Sequence, residues 1–208
     1  MAKVLLLNGS PRPNGCTAEA LEEMMRTFAA EGIETELVQV GVHSPRSCLA
    51  CGKCGDLGRC VFDDLVNETA PKFENAAGLV VGSPVYYGSP NGGILSFLDR
   101  LFYSTRFSKH MKVGAAVVSC RRGGNTASFD VLNKYFTISG MPVASSSYWN
   151  QVHGFCAEDV RKDLEGLQTM RNLARNMAFL IRAIEAERER NGIPPMERGC
   201  FTSFPDGK

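Results

Sequence analysis

Short apolar runs alternate with amphipathic stretches along most of this chain. Five runs have the length and the Val, Ile and Leu content of strands buried in a parallel sheet. They cover residues 3–8, 33–40, 78–82, 113–120 and 142–147. Between them, apolar residues recur every three or four positions and predict helices. These helices cover residues 17–30, 65–75, 94–103 and 129–139, and a longer one runs from residue 159 to about residue 190.

Regular alternation of strands and helices is typical of an α/β domain with a parallel sheet. With right-handed crossovers, we expect a doubly wound, five-stranded sheet in the order 2-1-3-4-5, which is the flavodoxin-like arrangement. A cysteine-rich insertion, residues 41–62, follows the second strand and is too long to be an idle loop. We expect residues 1–158 to form the domain and residues 159–208 to form a C-terminal helix and an apolar tail.

Composition and charge limit the kinds of molecule that this protein is expected to bind. Lys and Arg number 23 and Asp and Glu number 22, so the net charge of +1 supplies no overall field for nucleic acid or an anionic membrane. No apolar stretch has the length of a membrane span or of a signal peptide. We therefore expect a cytoplasmic protein without nucleic-acid or membrane partners. Thiols stay reduced in that compartment, so the eight cysteines should not form a disulfide framework.

Three loops are placed to bind a ligand, because ligands of doubly wound sheets lie beyond the carboxyl ends of the strands. The first loop, residues 9–17, offers hydroxyls, the Arg12 guanidinium and free N–H groups at a helix start. These groups suit a phosphate. The loop is neither a Walker A motif nor a GxGxxG fingerprint. A well-capped turn with two prolines would also account for it.

The second and third loops favour a planar ligand. Residues 83–92 combine tyrosines with glycines and could flank a ring, although a surface turn is the simpler alternative. Residues 119–125 offer backbone N–H groups, Arg121 and Arg122 to the electron-rich end of a flavin or to a nucleotide phosphate. For one of these two arginines, a solvated basic turn is the better interpretation.

Three segments have distinctive sequences: GSPRPNGCT at residues 9–17, SPVYYGSPNG at residues 83–92 and FLDR at residues 97–100. They resemble the NAD(P)H-dependent FMN reductase family of flavodoxin-fold proteins. The resemblance runs from Lys3 to about Trp149. It implies an FMN-binding domain, NAD(P)H as electron donor, and a homodimer or homotetramer whose candidate interface is the C-terminal helix and tail.

The same resemblance assigns residues to the parts of FMN. The phosphate would be held by Ser10, Arg12, Asn14 and Thr17, with Cys16 in the site where relatives commonly carry Asn. The ring would be lined by Pro84, Val85, Tyr86, Tyr87, Gly88 and Ser89. The other side would be closed by Ser119, Arg121, Gly123, Gly124 and Asn125.

Four cysteines share a stretch of thirteen residues in the pattern Cys48-x2-Cys51-x2-Cys54-x5-Cys60. Interspersed glycines let the backbone wrap closely round a ligand. Four thiolates on a compact loop are the ligand set of a 4Fe-4S cluster, and bacterial ferredoxins use a related run. The pattern is also similar to the compact motif of iron-sulfur flavoproteins, which join a flavodoxin-like FMN domain to one cluster. We therefore expect these four residues to hold a 4Fe-4S cluster.

The cysteine motif is compatible with three alternatives to a cluster. A four-cysteine zinc site is one, although structural zinc usually takes two CxxC pairs further apart. Relatives among the FMN reductases can also keep similar cysteines without binding metal. A reversible redox disulfide is the third.

These observations together predict an FMN-dependent NAD(P)H oxidoreductase. Electrons would pass from the flavin to a small-molecule or redox-protein acceptor, or singly to the cluster. Because the flavin carries the chemistry, no dedicated acid–base pair is expected. The alternatives are a flavodoxin-like electron carrier without NAD(P)H activity, a plain FMN or quinone reductase with a metal-free or zinc-binding loop, and a flavin-free zinc module.

Overall fold

A parallel sheet forms the centre of the molecule in a computed structural model that describes residues 2–197, 199, 200 and 202. The strands are β1 (Lys3–Asn8), β2 (Glu34–Gln39), β3 (Gly78–Tyr86), β4 (Ser89–Pro90), β5 (Val113–Cys120) and β6 (Gln151–His153). Five of them are parallel in the order β2-β1-β3-β5-β6, and β4 pairs antiparallel with the end of β3. The predicted flavodoxin-like α/β fold is confirmed, with six strands rather than five.

Helices cover both faces of this sheet. They are α1 (Cys16–Ala30), α2 (Cys54–Leu57), α3 (Leu65–Asn75), α4 (Gly92–Ser104), α5 (Asn125–Ile138), α6 (Ala157–Val160) and α7 (Leu164–Asn191). On one face α1 and α7 pack together, with Phe28 and Met177 fully buried. On the other face lie α3, α4 and α5, with Phe97 and Phe136 fully buried. The result is a three-layer α/β/α domain with a core on each side of the sheet.

The central strand β1 shows why its sequence is a continuous apolar run. Val4 and Leu6 belong to the core under α1 and α7, whereas Leu5 and Leu7 belong to the opposite core. All four side chains are fully buried. Successive residues of a strand point to opposite faces, so a strand covered on both faces needs apolar residues at every position.

The prediction of the fifth strand was wrong in position. Within residues 142–147, Val143 forms an isolated bridge to Gly114, and the strand that pairs with β5 is β6. Pro142 has no N–H group to donate, and the serines after Ala144 supply no apolar side chain for the core. Val152 of β6 is fully buried and takes the place that the prediction gave to the earlier segment.

The single long helix predicted from residue 159 is divided into α6 and α7. Asp163 lies at the boundary and caps α7, because its Oδ1 accepts a hydrogen bond of 2.9 Å from Gly166 N. Leu173 is fully buried as the periodicity predicts. Leu164, the first residue of α7, is 75% exposed.

Half of the predicted apolar tail, including Phe201 and Phe204, lies outside the described residues. In its described part, Pro194 O lies 3.1 Å from His110 Nε2, so the start of the tail contacts the domain. Among the residues that the structure describes, no helix is both long enough and apolar enough to cross a bilayer.

Packing between β5 and α5 can be tested at Gly114. A Cβ atom there would lie 2.5 Å from Cγ of the buried Phe136 ring. We expect Gly114→Ala to lower the free energy of unfolding by about 1–3 kcal/mol, because an overpacked core must shift to admit the methyl group. Urea denaturation measures this change. Gly92→Ala, which points into open space at the start of α4, should stay within about 0.5 kcal/mol of the parent, and equal losses in both variants would contradict the expectation.

Candidate functional site

A cavity of about 710 Å³ lies at the carboxyl ends of β1, β3, β5 and β6. This volume is in the range of small-molecule and cofactor sites. The wall is made of residues 10–17, 84–86, 119–121 and 154–158. The first three segments belong to the loops that the sequence predicted would meet, and the structure brings them together.

The loop after β1 is held in shape by hydrogen bonds. Ser10 N donates to Asn8 Oδ1 at 3.0 Å, and Arg12 N donates to Ser10 Oγ at 3.1 Å. From the neighbouring strand, Gln39 Nε2 donates to Ser10 O at 2.7 Å. Gly41 passes so close that a Cβ atom there would lie 2.2 Å from Ser10 O. The loop is therefore preorganised by the protein alone.

The start of α1 opens onto this cavity. Its N-cap is Gly15, so no side chain accepts hydrogen bonds from the first amides of the helix. These amides belong to residues on the cavity wall and are free to meet an anion. Arg12 and Arg121 also lie on the wall, are exposed, and form no ion pair with a carboxylate in the described part of the chain. These donors fit the terminal phosphate of FMN.

Two hydroxyl groups join the first and third loops. Thr17 Oγ1 and Ser119 Oγ lie 2.8 Å apart, and both residues are buried on the cavity wall. Asn14 and Cys16 lie on the same wall beside them. All five residues predicted for the first loop therefore border the cavity.

Only part of the second loop borders the main cavity. Pro84, Val85 and Tyr86 lie on the cavity wall, whereas Tyr87 and Gly88 do not. Both turn residues have left-handed backbone, with φ of 51° and 75°. This conformation is uncommon for a tyrosine, and it leaves the Tyr87 side chain fully exposed. The residues that lie away from the wall thus form the tip of the β3–β4 hairpin.

Only part of the third loop borders the main cavity. Arg121 lies on the cavity wall, whereas residues 123–125 lie away from it. Gly124 instead approaches the hairpin tip, where a Cβ atom would lie 2.7 Å from Gly88 Cα. Asn125 Nδ2 donates to a side-chain oxygen on β6. Gly88 and Gly124 therefore allow close contact between the two loops.

Residues 154–158, after β6, complete the wall and were missed by the sequence reasoning. Phe155 and Cys156 are exposed there, and Cys16 Sγ donates to Gly154 O at 3.5 Å. The rule about carboxyl ends applies equally to the last strand. The prediction considered only the loops after the first, third and fourth strands and also placed the last strand too early, so the segment directly after β6 was not included among the ligand loops.

Two cysteines on the cavity wall remain protonated near neutral pH. Burial raises the pKa of Cys16 above its ordinary value, and the nearby Cys156 and Asp159 raise it further. Burial also raises the pKa of Cys120. Since the thiolate is the charged form, these two residues add no negative charge beside an anionic ligand.

Cys48, Cys51, Cys54 and Cys60 line a second, small cavity. Its α4 side is formed by Arg100, Tyr103 and Ser104. Cys60 is buried, whereas Cys48 and Cys51 are exposed. In the described residues, no three His, Cys, Asp or Glu side chains are grouped so that they could hold a metal ion. The number and chemistry of the thiols fit a four-thiolate site, but the other sulfurs are not gathered round Cys60.

Asn67 of α3 fixes the backbone around Cys60. Cys60 N donates to Asn67 Oδ1 at 3.0 Å, and Asn67 Nδ2 donates to Cys60 O and Phe62 O, also at 3.0 Å. Cys60 is therefore attached to the folded domain independently of residues 48–54, which are exposed except for the half-buried Cys54.

Arg100 is almost fully buried beside Cys60. Its Nε and Nη2 atoms each lie 3.3 Å from Cys60 Sγ, and its two terminal nitrogens donate to the Asp64 carboxylate at 2.8 Å. Asp64 also caps α3, because its Oδ1 accepts a hydrogen bond from Val66 N at 3.1 Å. Burial alone would raise the pKa of Asp64, but the hydrogen bonds from Arg100 and Val66 outweigh it and hold the pKa below its ordinary value.

A doubly wound parallel sheet with a cofactor-sized cavity at its carboxyl edge is the flavodoxin-like arrangement. Residues 2–155 match the family described as NADPH-dependent FMN reductase. The chain belongs to this family.

Relatives matched along nearly their whole length are iron-sulfur flavoproteins. One from Methanocaldococcus jannaschii is 32% identical over 191 residues, which are 88% of this chain and 99% of the relative. Another, from Methanosarcina thermophila, is 28% identical over 192 residues, which are 90% of this chain and 100% of the relative.

Solved structures confirm the fold at low sequence identity. RosB with a bound formylated riboflavin phosphate has a TM-score of 0.71 and 16% identity, with 99% of this chain and 94% of that chain covered. An NAD(P)H:quinone oxidoreductase from Methanothermobacter marburgensis has a TM-score of 0.63 and 16% identity, with 85% and 96% covered.

The anchoring of Cys60 can be tested with Asn67→Ala. The change removes three hydrogen bonds to the backbone of residues 60–62, so the free energy of local opening should fall by about 1–3 kcal/mol. Hydrogen exchange of the amides at residues 58–64 measures this. Asn75→Ala removes an exposed hydrogen bond within the same helix and should leave exchange at residues 58–64 unchanged. Equal protection in the Asn67→Ala and parent proteins would contradict the anchoring role.

Proposed function

We propose that this chain is an FMN-dependent oxidoreductase that takes electrons from NAD(P)H and passes them to a small-molecule or redox-protein acceptor. One observation carries the proposal: the cavity joins an open helix start to a wall that includes an aromatic side chain. FMN has the matching parts, a terminal phosphate and a planar ring. The family match over residues 2–155 supports the same assignment.

The phosphate end of the proposed site is the loop after β1. Amides at the start of α1 donate to the phosphate oxygens, and Arg12 supplies positive charge. Ser10 Oγ already accepts from Arg12 N, so its hydroxyl hydrogen is free to point into the cavity. Asn14 and Thr17 add further polar groups on the wall.

The ring end of the proposed site is the wall formed after β3 and β5. Pro84, Val85 and Tyr86 limit the positions that a ring can take, and Arg121 adds a cation to the wall. FMN, when bound, would accept a hydride on its ring and then pass electrons to the acceptor. Tyr86 and Phe155 are both exposed on this wall and offer aromatic surface to a second planar molecule, the nicotinamide or the acceptor.

We further propose that Cys48, Cys51, Cys54 and Cys60 hold a 4Fe-4S cluster. Their four thiols line one cavity, and the full-length relatives are named iron-sulfur flavoproteins. Cys60 serves as the fixed ligand, and residues 48–54 supply the other three. A bound cluster of this type carries electrons one at a time.

The decisive experiment measures FMN, iron, acid-labile sulfide and zinc per chain after purification without oxygen. We expect about one FMN with four iron and four sulfide. Rapid mixing with NADPH or NADH should then bleach the flavin absorbance at 450 nm, roughly the band of oxidised flavin.

Each remaining outcome favours one alternative. FMN without iron or zinc would leave a plain flavin reductase and contradict the cluster. Zinc without FMN would favour a flavin-free zinc module. FMN that neither nucleotide reduces would favour an electron carrier and contradict the proposed activity.

The phosphate end can be tested with Arg12→Gln. Loss of a charged hydrogen bond to phosphate removes about 1.5–3 kcal/mol, so FMN should bind about 10- to 150-fold more weakly. Fluorescence titration of the FMN-depleted protein measures the Kd. Arg26→Gln removes an exposed arginine of α1 that pairs with Glu23, and its Kd should match the parent. Equal Kd values for the two variants would contradict the role of Arg12.

A further inference from the structure

Arg100 is a buried cation whose hydrogen bonds divide between a sulfur and a carboxylate. It is 1% exposed, in the interior of α4. Two of its nitrogens lie 3.3 Å from Cys60 Sγ, and two lie 2.8 Å from the oxygens of Asp64. A buried guanidinium is costly unless its donors are satisfied, and here a cysteine of the proposed cluster site satisfies part of the requirement.

The plane of this guanidinium is fixed by an aromatic ring. The Phe62 ring centroid lies 5.1 Å from the Arg100 guanidinium carbon, and Arg46 lies 4.6 Å from the same ring. Arg100 also approaches Phe62 O at 3.5 Å. Contacts to ring, carboxylate and sulfur together hold the side chain in one orientation. The N–H groups therefore point at Cys60 Sγ before any ligand is bound.

We propose that Arg100 is a positioning residue that sets the reduction potential of the cluster through its hydrogen bonds to Cys60. This inference rests on the proposed 4Fe-4S site. Hydrogen bonds to a ligating sulfur and nearby positive charge both stabilise the reduced, more negative cluster. Arg100 supplies both at a single ligand, the one that Asn67 anchors.

Asp64 opposes part of this effect. Its carboxylate neutralises the guanidinium and is itself 38% exposed, so solvent screens it more than it screens Arg100. Removing the charge of Asp64 should therefore shift the potential in the opposite direction from removing that of Arg100. A role for the pair in folding alone predicts no shift in either direction.

Three variants test the proposal. Arg100→Gln removes the charge and most of the donors. Asp64→Asn removes the opposing charge and keeps a good N-cap residue for α3. Arg59→Gln is the matched control, because Arg59 adjoins Cys60 in sequence but is exposed and pairs with Asp63. The readout is the cluster potential, from a redox titration of the anaerobic holoprotein followed by electron paramagnetic resonance.

We expect Arg100→Gln to lower the one-electron equilibrium constant for cluster reduction about tenfold, which is a shift of about 59 mV to more negative potential. Asp64→Asn should shift the potential to a more positive value. Arg59→Gln should match the parent. Arg100→Lys keeps the charge but loses the planar set of guanidinium donors, so it should give a smaller negative shift in potential. This variant replaces Arg100→Gln if Arg100→Gln does not fold.

The outcomes separate this inference from the function on which it rests. A parent protein without iron and sulfide would overturn the cluster and the role of Arg100 together. The analysis of iron and sulfide would give this result before any redox titration. A loaded cluster whose potential is the same in the parent, Arg100→Lys and Asp64→Asn proteins would overturn the role of Arg100 alone.

Discussion

Parallel pairing of β1 with β3 is the constraint on which the main cavity depends. Side chains of these strands are buried in cores on both faces of the sheet, so a slip of one residue would place every side chain on the wrong face. The pairing also brings the two carboxyl ends to one edge, where Gly9 N donates to Gly82 O at 2.8 Å. The position of the main cavity is therefore fixed by the core rather than by the loops that line it.

The two candidate sites differ in how far the protein alone prepares them. In the main cavity, hydrogen bonds and close glycine contacts already hold the loop after β1. In the cysteine loop, Cys60 is held by Asn67 and Arg100, whereas Cys48 and Cys51 are exposed. A site of the second kind couples ligand binding to the folding of a segment. Assembly of the cysteine site would therefore bring Cys48, Cys51 and Cys54 together with Cys60, whereas the main cavity needs no comparable step.

The sequence predicted the fold through the strong periodicity of its buried strands and helices, and predicted most of the main cavity through the rule that ligands meet carboxyl ends. It failed where local signals were weak. The three residues of β6 are too few to show a pattern, and Pro142 followed by apolar residues resembled a strand. The role of Arg100 was also hidden, because its partners Cys60 and Asp64 lie 40 and 36 positions away in sequence. Only tertiary structure brings such residues together.

Helix α4 begins directly after the hairpin of the second loop and carries Arg100 to the cysteine cavity. With a rise of 1.5 Å per residue, the eight residues from Gly92 to Arg100 span about 12 Å. The helix therefore fixes the distance and the direction from the end of this hairpin to Arg100. Insertion of one residue between these positions would turn Arg100 by about 100° away from Cys60, whereas residues 44–47, which precede the first cysteine of the motif, could accept a change of length. Evolutionary variation in length should accordingly occur in residues 44–47 and be absent from the helix between Gly92 and Arg100.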